Sequence, residues 1–483
     1  MTSTDYIETN AYTKLIATIG PACRKPDILL EMIQQGVDVF RLNMAHGSRS
    51  EHEGNLAQIR EAAEKAGRPV GILADLGGPK IRLGKLHTDP TICHHGDHFE
   101  FVRGEEATAA NQLVATYDRL LDELSEGDPV MLADGTVSLR VVEKTADAVR
   151  CEVEEGGEIR SRQGINLPGV TLSVPSITED DRKHAAWAAD NGIDFVGLSF
   201  VRGTDELHEL RDILQSHESN ALVIAKIEKK EALDRLDEIV EVADGVMVAR
   251  GDLGVEIDVA EIAIAQKRII ETCRQIGRPV IVATQMLDSM QHSRRPTRAE
   301  VTDVANAIID GADACMLSGE TAIGDYPREA VTMMNRIMLA TEREAGERDR
   351  AHERREPISA VLPITSAVVS GATRIAEQLS AGLVVVATRS GATALARSKR
   401  RAYTPTVGVS SSETTLRKMC LYWGIIPLAG APVDEPPRLR RFINDWGLSN
   451  DVLEIGDSVV SISGTGIVDR AHNSVVVHEV EEA

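Results

Sequence analysis

The sequence predicts an α/β protein: a (β/α)8 TIM barrel carrying an inserted all-β lid and followed by a second α/β domain. Three observations predict it. Eight near-continuous apolar runs recur between Leu15 and Glu320, each followed by an amphipathic stretch, which is the pattern of parallel strands buried on both faces. Between Arg82 and Leu167 the helical period gives way to alternation with period two. Beyond a densely charged stretch at Glu342–Pro357, the strand and helix pattern restarts.

The runs, in order, are LIATIGP from Leu15, VDVFRLNM from Val37, VGILADLGG from Val70 and DFVGLSF from Asp194; then LVIAKIE from Leu222, GVMVARGD from Gly245, PVIVATQM from Pro279 and DACMLSGE from Asp313. Helical segments between them include Glu51–Ala66, Lys229–Val242, Glu261–Ile276 and Thr297–Asp310, with Gly67, Gly277 and Gly311 placed as helix stops. Eight such units fit a closed barrel better than the alternative, an open doubly wound sheet. In the insertion, HFEFV, VSLRVV and VRCEVEEGGEIRS alternate, and Gly156-Gly157 reads as a hairpin turn. The last part carries LVVVAT, PTVGVS, GIIPLAG and DSVVSISG as strands. The expected organisation is an N-terminal arm at 1–11 and a barrel at 12–83 and 167–345. A lid at 84–166, a charged linker at 346–357 and a C-terminal regulatory domain at 358–483 complete it.

Composition narrows the partners. A chain of 483 residues with a formal charge of −22 repels nucleic acid polymers and anionic membrane surfaces. Aromatics at 3% leave little for base stacking. No apolar run is long enough to span a bilayer, and MTSTDYIETN lacks the features of a signal peptide. Six cysteines without CxxC spacing point to free thiols and a cytoplasmic location.

Catalytic groups of a barrel sit where its strands end, and those ends are polar here. They read Arg41-Leu42-Asn43, Asp75, Lys226-Ile227-Glu228, Arg250-Gly251-Asp252, Thr284-Gln285 and Ser318-Gly319-Glu320. Alternation along a strand makes Arg41 and Asn43, Lys226 and Glu228, and Arg250 and Asp252 same-face pairs. Gathering so many charges at one pole is costly unless they pair or bind something. Glu228 and Asp252 are hard oxygen donors suited to Mg²⁺ (or Mn²⁺). Arg41, Arg82 and Lys226 are cations suited to phosphate. Carboxylates for a metal beside a ring of cations are what phosphoryl transfer requires. No GxxxxGK[ST] loop occurs, so a nucleotide is not held in the P-loop manner.

At these residues the sequence resembles the pyruvate kinase family over nearly its whole length. VIAKIEKKEAL is similar to that family's active-site signature, and RLNMAHG, DLGGPKIR, NLPGV, MVARGDLG, ATQML, RPTRAEVTDVANAIIDGAD and MLSGETAIGDYP follow the family's order. The resemblance implies transfer of phosphoryl from phosphoenolpyruvate to ADP, giving pyruvate and ATP, in a homotetramer. It places the metal on Glu228 and Asp252, the transferring phosphoryl group on Lys226 and Arg41, and Asn43, Asp75, Arg82 and Gly251 in the same pocket. His46 falls nearer the nucleotide, and Thr284 where the family has the enolate proton relay. The competing readings are a lyase-type barrel acting on phosphoenolpyruvate or pyruvate, and an inactive metabolite-binding homologue.

Departures from the family pattern carry information. Ala45 and Leu76 stand where many members have Ser and Thr ligands for K⁺, and Lys80 replaces a Glu. A tethered ammonium supplies the charge that K⁺ would bring, so K⁺ is expected not to be required. Ala186 stands where several relatives carry a Lys near the nucleotide, with Arg182 or Lys183 as replacements. The loop Thr388, Arg389, Ser390, Gly391 to Thr393 precedes a helix, as in the family's sugar-phosphate effector loop, so a sugar-phosphate or nucleotide effector is expected there. SGTG at Ser463–Gly466 is shorter than in relatives that bind a bisphosphate. Cys93, His94, His95 and His98 read as a surface loop rather than a zinc site, Tyr422-Trp423 as packing within the C-terminal domain, and Gly77-Gly78 as no dinucleotide fingerprint.

Overall fold

A computed structural model describes residues 11–133, 135–170, 173–349, 361–464 and 472–481. Eight parallel strands close a barrel: β1 (Lys14–Thr18), β2 (Val37–Asn43), β3 (Gly71–Asp75), β4 (Phe195–Leu198), β5 (Leu222–Ile227), β6 (Gly245–Ala249), β7 (Val280–Ala283) and β8 (Ala314–Leu317). Each pairs with its neighbours in chain order, and β8 closes on β1. Every residue of β1, β3, β4, β6, β7 and β8 is buried, because helices cover one face and the packed interior fills the other. Local chemistry sets the helices. Ser48 with Glu51 and Thr297 with Glu300 form capping boxes at the starts of Arg49–Ala66 and Arg298–Asp310. Those helices end in left-handed turns at Gly67 and Gly311.

The end of the barrel opposite the polar strand ends is fastened by four aspartates, of which Asp38, Asp194 and Asp313 are buried. Asp38, Asp194, Asp244 and Asp313 each accept the backbone N–H of a residue at the start of a neighbouring strand: Leu15 (3.0 Å), Ile72 (3.0 Å), Val223 (2.9 Å) and Val280 (2.8 Å). Two of them are also gripped by the C-terminal domain. Arg417 Nε lies 2.8 Å from Asp194, and Lys399 Nζ lies 2.6 Å from Asp313 with Arg401 at 3.1 Å. The C-terminal domain is thus ionically seated on the barrel's base, which leaves the strand ends free for chemistry.

Chain between Arg82 and Leu167 forms the lid. Its six-stranded sheet runs in the order Ile165–Asn166, Pro129–Leu132, Val137–Lys144, Ala148–Glu155, His98–Val102 and Gln112–Leu113. A separate apolar core including Phe101, Leu139 and Val153 fills it. The C-terminal sheet has the order Ile425–Leu428, Thr406–Val409, Leu383–Ala387, Ser458–Ser463 and Ser474–Glu479, the last strand antiparallel. All six cysteines are free and buried. Among the described residues no helix is long and apolar enough to cross a membrane.

Several sequence expectations need correction. Gly156-Gly157 does not turn a hairpin: Gly157–Ile159 leaves the Ala148–Glu155 strand and pairs antiparallel with Thr91–Cys93. A Cβ at Gly156 would lie 2.5 Å from the Cys93 carbonyl oxygen, so glycine serves close backbone approach at that crossing. The expected helix Lys229–Val242 is two, Lys230–Asp234 and Leu236–Val242. A short helix, Leu120–Glu123, interrupts the all-β lid. Glu342 is buried rather than exposed, accepting the N–H groups of Tyr12 (2.8 Å) and Thr13 (2.6 Å), and so pins the start of β1 to the last barrel helix. Trp423 packs edge-on to Tyr403 at 5.5 Å within the C-terminal domain, as expected, and also stacks across domains on Tyr12 at 5.0 Å. Most of the expected N-terminal arm (1–10), most of the charged linker (350–357) and Thr465 and Gly466 of SGTG lie outside the described residues.

Candidate active site

Four polar side chains converge where β2, β3 and β5 end. Asp75 closes β3 and is 1% exposed. Its Oδ2 accepts from Arg41 Nε at 2.7 Å, with a second guanidinium nitrogen at 2.6 Å. Its Oδ1 lies 3.2 Å from Lys226 Nζ. That contact is ionic in distance but lacks hydrogen-bond geometry, since Oδ1 has no hydrogen-bond partner among the described residues. Lys226 Nζ reaches Glu228 Oε1 at 2.8 Å and donates to Ser199 Oγ at 2.6 Å. Glu228 Oε2 accepts the N–H of Phe200 at 2.7 Å. Arg41 also donates to Thr18 Oγ1 at 3.2 Å. The result is an alternating chain, Arg41–Asp75–Lys226–Glu228, whose members are oriented by β1 and β4 as well as by their own strands.

Its electrostatics follow from burial. Burial pushes the Asp75 carboxyl upward, but Lys226 and Arg41 outweigh it and hold the group below the usual carboxylate range. Burial disfavours the Lys226 ammonium, yet Asp75 and Glu228 more than compensate and its pKa is raised. Glu228 is raised, first by burial and then by repulsion from Asp252, against the opposing pull of Lys226. Asp252 is half-buried, and its carboxylate has no hydrogen bond or ion pair among the described residues. Two mutually repelling carboxylates, one without a partner, are the donor set that a divalent cation relieves. No cluster of three or more His, Cys, Asp or Glu side chains suited to a metal occurs among the described residues. A cation held here would therefore draw its remaining ligands from substrate and water.

The strand-six expectation needs revising. β6 ends at Ala249, and Arg250–Glu256 is a helix, so Arg250 and Asp252 are not same-face strand neighbours. Arg250 turns away, to Asp303 (2.7 Å) and the Thr284 carbonyl (2.8 Å). Gly251 instead donates its N–H to Thr284 Oγ1 at 2.7 Å. The Thr284 hydroxyl donates to the Ala283 carbonyl at 2.7 Å, and Thr284 and Gln285 take φ of 68° and 53°. These are strained values for a β-branched residue and its neighbour, held by the surrounding bonds. Glu320, at the end of β8, faces backbone: it accepts the N–H groups of Leu287 and Ser318.

Around this core, His46 is exposed, with its pKa lowered first by partial burial and then by Arg82, Lys80 and Arg41. Those three cations therefore lie near enough to the imidazole to disfavour its charged form. Asn43 accepts the Ala45 N–H at 3.2 Å. Arg82 donates to the Arg162 carbonyl of the lid at 3.1 Å. Lys80 is exposed, without a side-chain partner among the described residues. The expected replacements for a lysine at Ala186 are occupied: Arg182 pairs with Glu209 and Lys183 with Asp180. In the C-terminal loop, Thr388 Oγ1 accepts the Gly391 N–H at 3.1 Å and Thr393 Oγ1 lies 2.8 Å from His472 Nδ1. The helix that follows, Ala392–Ser398, is only seven residues long. Sequence reasoning missed Ser199, Phe200 and Thr18. An uncharged hydroxyl and a backbone N–H leave no charge signal, although Ser199 follows β4 just where the other strands present polar groups.

Comparisons with known proteins identify relatives over nearly the whole chain. A family model described as pyruvate kinase, barrel domain, matches residues 10–331, and one described as pyruvate kinase, alpha/beta domain, matches 366–478. A pyruvate kinase of Geobacillus stearothermophilus is 39% identical over 474 residues, 97% of this chain and 80% of the relative. One from Corynebacterium glutamicum is 40% identical over 470 residues, 96% of this chain and 97% of the relative. A third, named pyruvate kinase 2, from Synechocystis, is 41% identical over 458 residues, 94% of this chain and 76% of the relative.

Proposed function

The chain belongs to the pyruvate kinase family, and we propose that it transfers the phosphoryl group of phosphoenolpyruvate to ADP. The enol-ester P–O bond breaks, a P–O bond to the terminal oxygen of ADP forms, and the enolate left behind takes up a proton at carbon to give pyruvate. The observation that carries this reading is the alternating chain Arg41–Asp75–Lys226–Glu228 with Asp252 beside it.

Each residue has a task in that reaction. Lys226, fixed by two carboxylates and Ser199, is kept charged and aimed, so it neutralises the phosphoryl oxygens without reorganising as the bond breaks. Arg41, its guanidinium braced by Asp75 and Thr18, grips the same group. Arg82 and His46 line the mouth from which the nucleotide approaches, and Asn43 shapes it. Glu228 and Asp252 would hold Mg²⁺ or Mn²⁺; family membership implies a divalent metal, which when bound neutralises charge on the carboxylate and enolate oxygens. Thr284 positions Gly251 through the 2.7 Å bond, and its hydroxyl must leave the Ala283 carbonyl before it can relay a proton. Lys80 would supply the positive charge otherwise brought by K⁺.

The expected domain boundaries, a homotetramer and a cytoplasmic location belong to the same reading. So does an anionic sugar-phosphate or nucleotide effector at Thr388–Thr393, where Arg389 is exposed and has no side-chain partner among the described residues. The test is pyruvate formation from phosphoenolpyruvate and ADP with Mg²⁺, read through a lactate dehydrogenase couple. Strict dependence on ADP supports the proposal. Pyruvate formed without ADP favours a lyase or phosphatase, and no pyruvate favours an inactive homologue.

A further inference from the structure

The chain leaving β7 makes a turn that its residue types disfavour. Thr284 and Gln285 are consecutive non-glycine residues in the left-handed region, with φ of 68° and 53°, and each carries strain there. Ala283 before them and Met286 and Leu287 after them are fully buried, so the reversal must fit between two fixed points. Glu320 holds the far side by accepting the Leu287 N–H at 3.0 Å. Gln285 is exposed, and its side chain makes no hydrogen bond among the described residues.

Arg250 restrains the turn itself. It is buried, and Nη2 donates to the Thr284 carbonyl and to Met286 Sδ, each at 2.8 Å. Nη1 donates to Asp303 at 2.8 Å and to Gln266 Oε1 at 3.4 Å. Those two partners stand on the helices Arg298–Asp310 and Ile262–Ile276. The guanidinium is a rigid fork, so anchoring one prong on two helices fixes where the other holds the Thr284 peptide. An ion pair to Asp303 needs only the first prong; the second lies on the strained turn.

Clamping the peptide has a consequence for the hydroxyl. Thr284 Oγ1 accepts the Gly251 N–H at 2.7 Å and donates to the Ala283 carbonyl at 2.7 Å. With the backbone held, rotation about χ1 is enough to free the proton, and that is a fast side-chain motion. Were the peptide to relax to an ordinary conformation, the Cα–Cβ bond would swing and the hydroxyl would lose its aim.

We propose that Arg250 is a positioning residue for proton delivery: it holds the Thr284–Gln285 turn left-handed and so aims the Thr284 hydroxyl at the enolate carbon. This rests on the reading of Thr284 as the proton relay. The enolate carbon forms a C–H bond with the hydroxyl proton, the enolate oxygen becomes the carbonyl, and Thr284 regains a proton from water. The guanidinium bonds to no member of the Arg41–Asp75–Lys226–Glu228 chain and not to Asp252, so its task lies in this step and not in phosphoryl transfer.

The step runs in reverse as exchange of pyruvate methyl protons for deuterium. Proton NMR reads it on the full-length protein with Mg²⁺ and inorganic phosphate and without nucleotide. Arg250→Lys keeps a charge for Asp303 but cannot also span to Thr284. It should slow exchange by about tenfold or more. The KM for phosphoenolpyruvate and the Mg²⁺ concentration at half-maximal ATP formation should stay within about twofold. If that variant fails to fold, Arg250→Met takes its place, since the Asp303 side chain is 40% exposed and can turn to water. In a Gln285→Gly background, where the left-handed conformation costs little at that position, the same substitution should slow exchange by no more than about threefold. Exchange unchanged by the Arg250 substitution, an equal loss in both backgrounds, or a shifted Mg²⁺ requirement would overturn the proposal. Thr284→Val separates the two readings and should slow exchange at least as much as Arg250→Lys. Exchange at the wild-type rate in Thr284→Val removes the relay and the clamp's task with it, while ATP formation from phosphoenolpyruvate and ADP still tests phosphoryl transfer.

Discussion

Replacing Lys226 with Met removes one ammonium and keeps most of the side chain's volume. In the protein that ammonium lies 2.8 Å from Glu228 and 3.2 Å from Asp75, each carboxylate 1% exposed. Asp75 keeps Arg41 after the substitution, whereas Glu228 is left facing Asp252 with only the Phe200 N–H for support. Breaking a buried pair from one side costs about 3–5 kcal/mol. In a barrel of this size that is a fall in melting temperature of about 6–20 °C at pH 8. The pH dependence has a definite sign. The Glu228 pKa is already raised in the folded protein, and losing Lys226 raises it further, so the folded variant binds protons more readily than the unfolded chain. Its deficit relative to wild type is therefore greatest above the folded-state pKa and shrinks as pH falls through it. Thermal denaturation at pH 8 and pH 6, together with the ADP-dependent pyruvate assay, reads both consequences. Adding Glu228→Gln should restore most of the lost temperature, while activity stays down by at least about 10²–10³-fold. A melting temperature within 2 °C of wild type, or a double variant no more stable than the single one, would refute the claim that Lys226 neutralises this carboxylate pair.

Further predictions concern the neighbours of that chain. Replacing K⁺ with tetramethylammonium should leave the rate within about twofold, because Lys80 carries the charge at that mouth; a large loss would contradict it. Asp252→Asn should raise the Mg²⁺ concentration at half-maximal rate by at least about tenfold, measured by metal titration, with a melting temperature near wild type since Asp252 is half-buried. Lys399→Met should lower the melting temperature by several degrees through the exposed charge deficit at buried Asp313, with Arg401 limiting the loss; an unchanged value would mean the domain junction is not held there.

Barrel strands were legible because each is an apolar run long enough to be buried on both faces and short enough to exclude a helix. The site was legible for a related reason: Arg41, Asp75, Lys226 and Glu228 are charges at the tips of such runs, where burial makes them expensive without partners. What alternation could not show was where a strand stops. The chain coils at Arg250, so Arg250 and Asp252 part company, one to Asp303 and the other to the Glu228 side. Gly156-Gly157 misled because its strand's partner, Thr91–Cys93, is more than 60 residues away, and local turn chemistry carries no information about distant pairing. Ser199 and Phe200 were silent for want of charge. Ionic seating of the C-terminal domain, through Arg417, Lys399 and Arg401, was silent because its acceptors sit at strand starts, where a polar residue reads as part of a turn.

If one phosphoryl group passes from phosphoenolpyruvate to ADP at the Arg41–Asp75–Lys226–Glu228 chain, phosphorus NMR of a single reaction containing the protein, phosphoenolpyruvate, ADP and Mg²⁺ should show it. The phosphoenolpyruvate signal should be replaced, mole for mole, by the γ-phosphate of ATP, and Lys226→Met should slow this by at least about 10²-fold. Conversion of the same signal to inorganic phosphate, or transfer that Lys226→Met leaves at the wild-type rate, would contradict it.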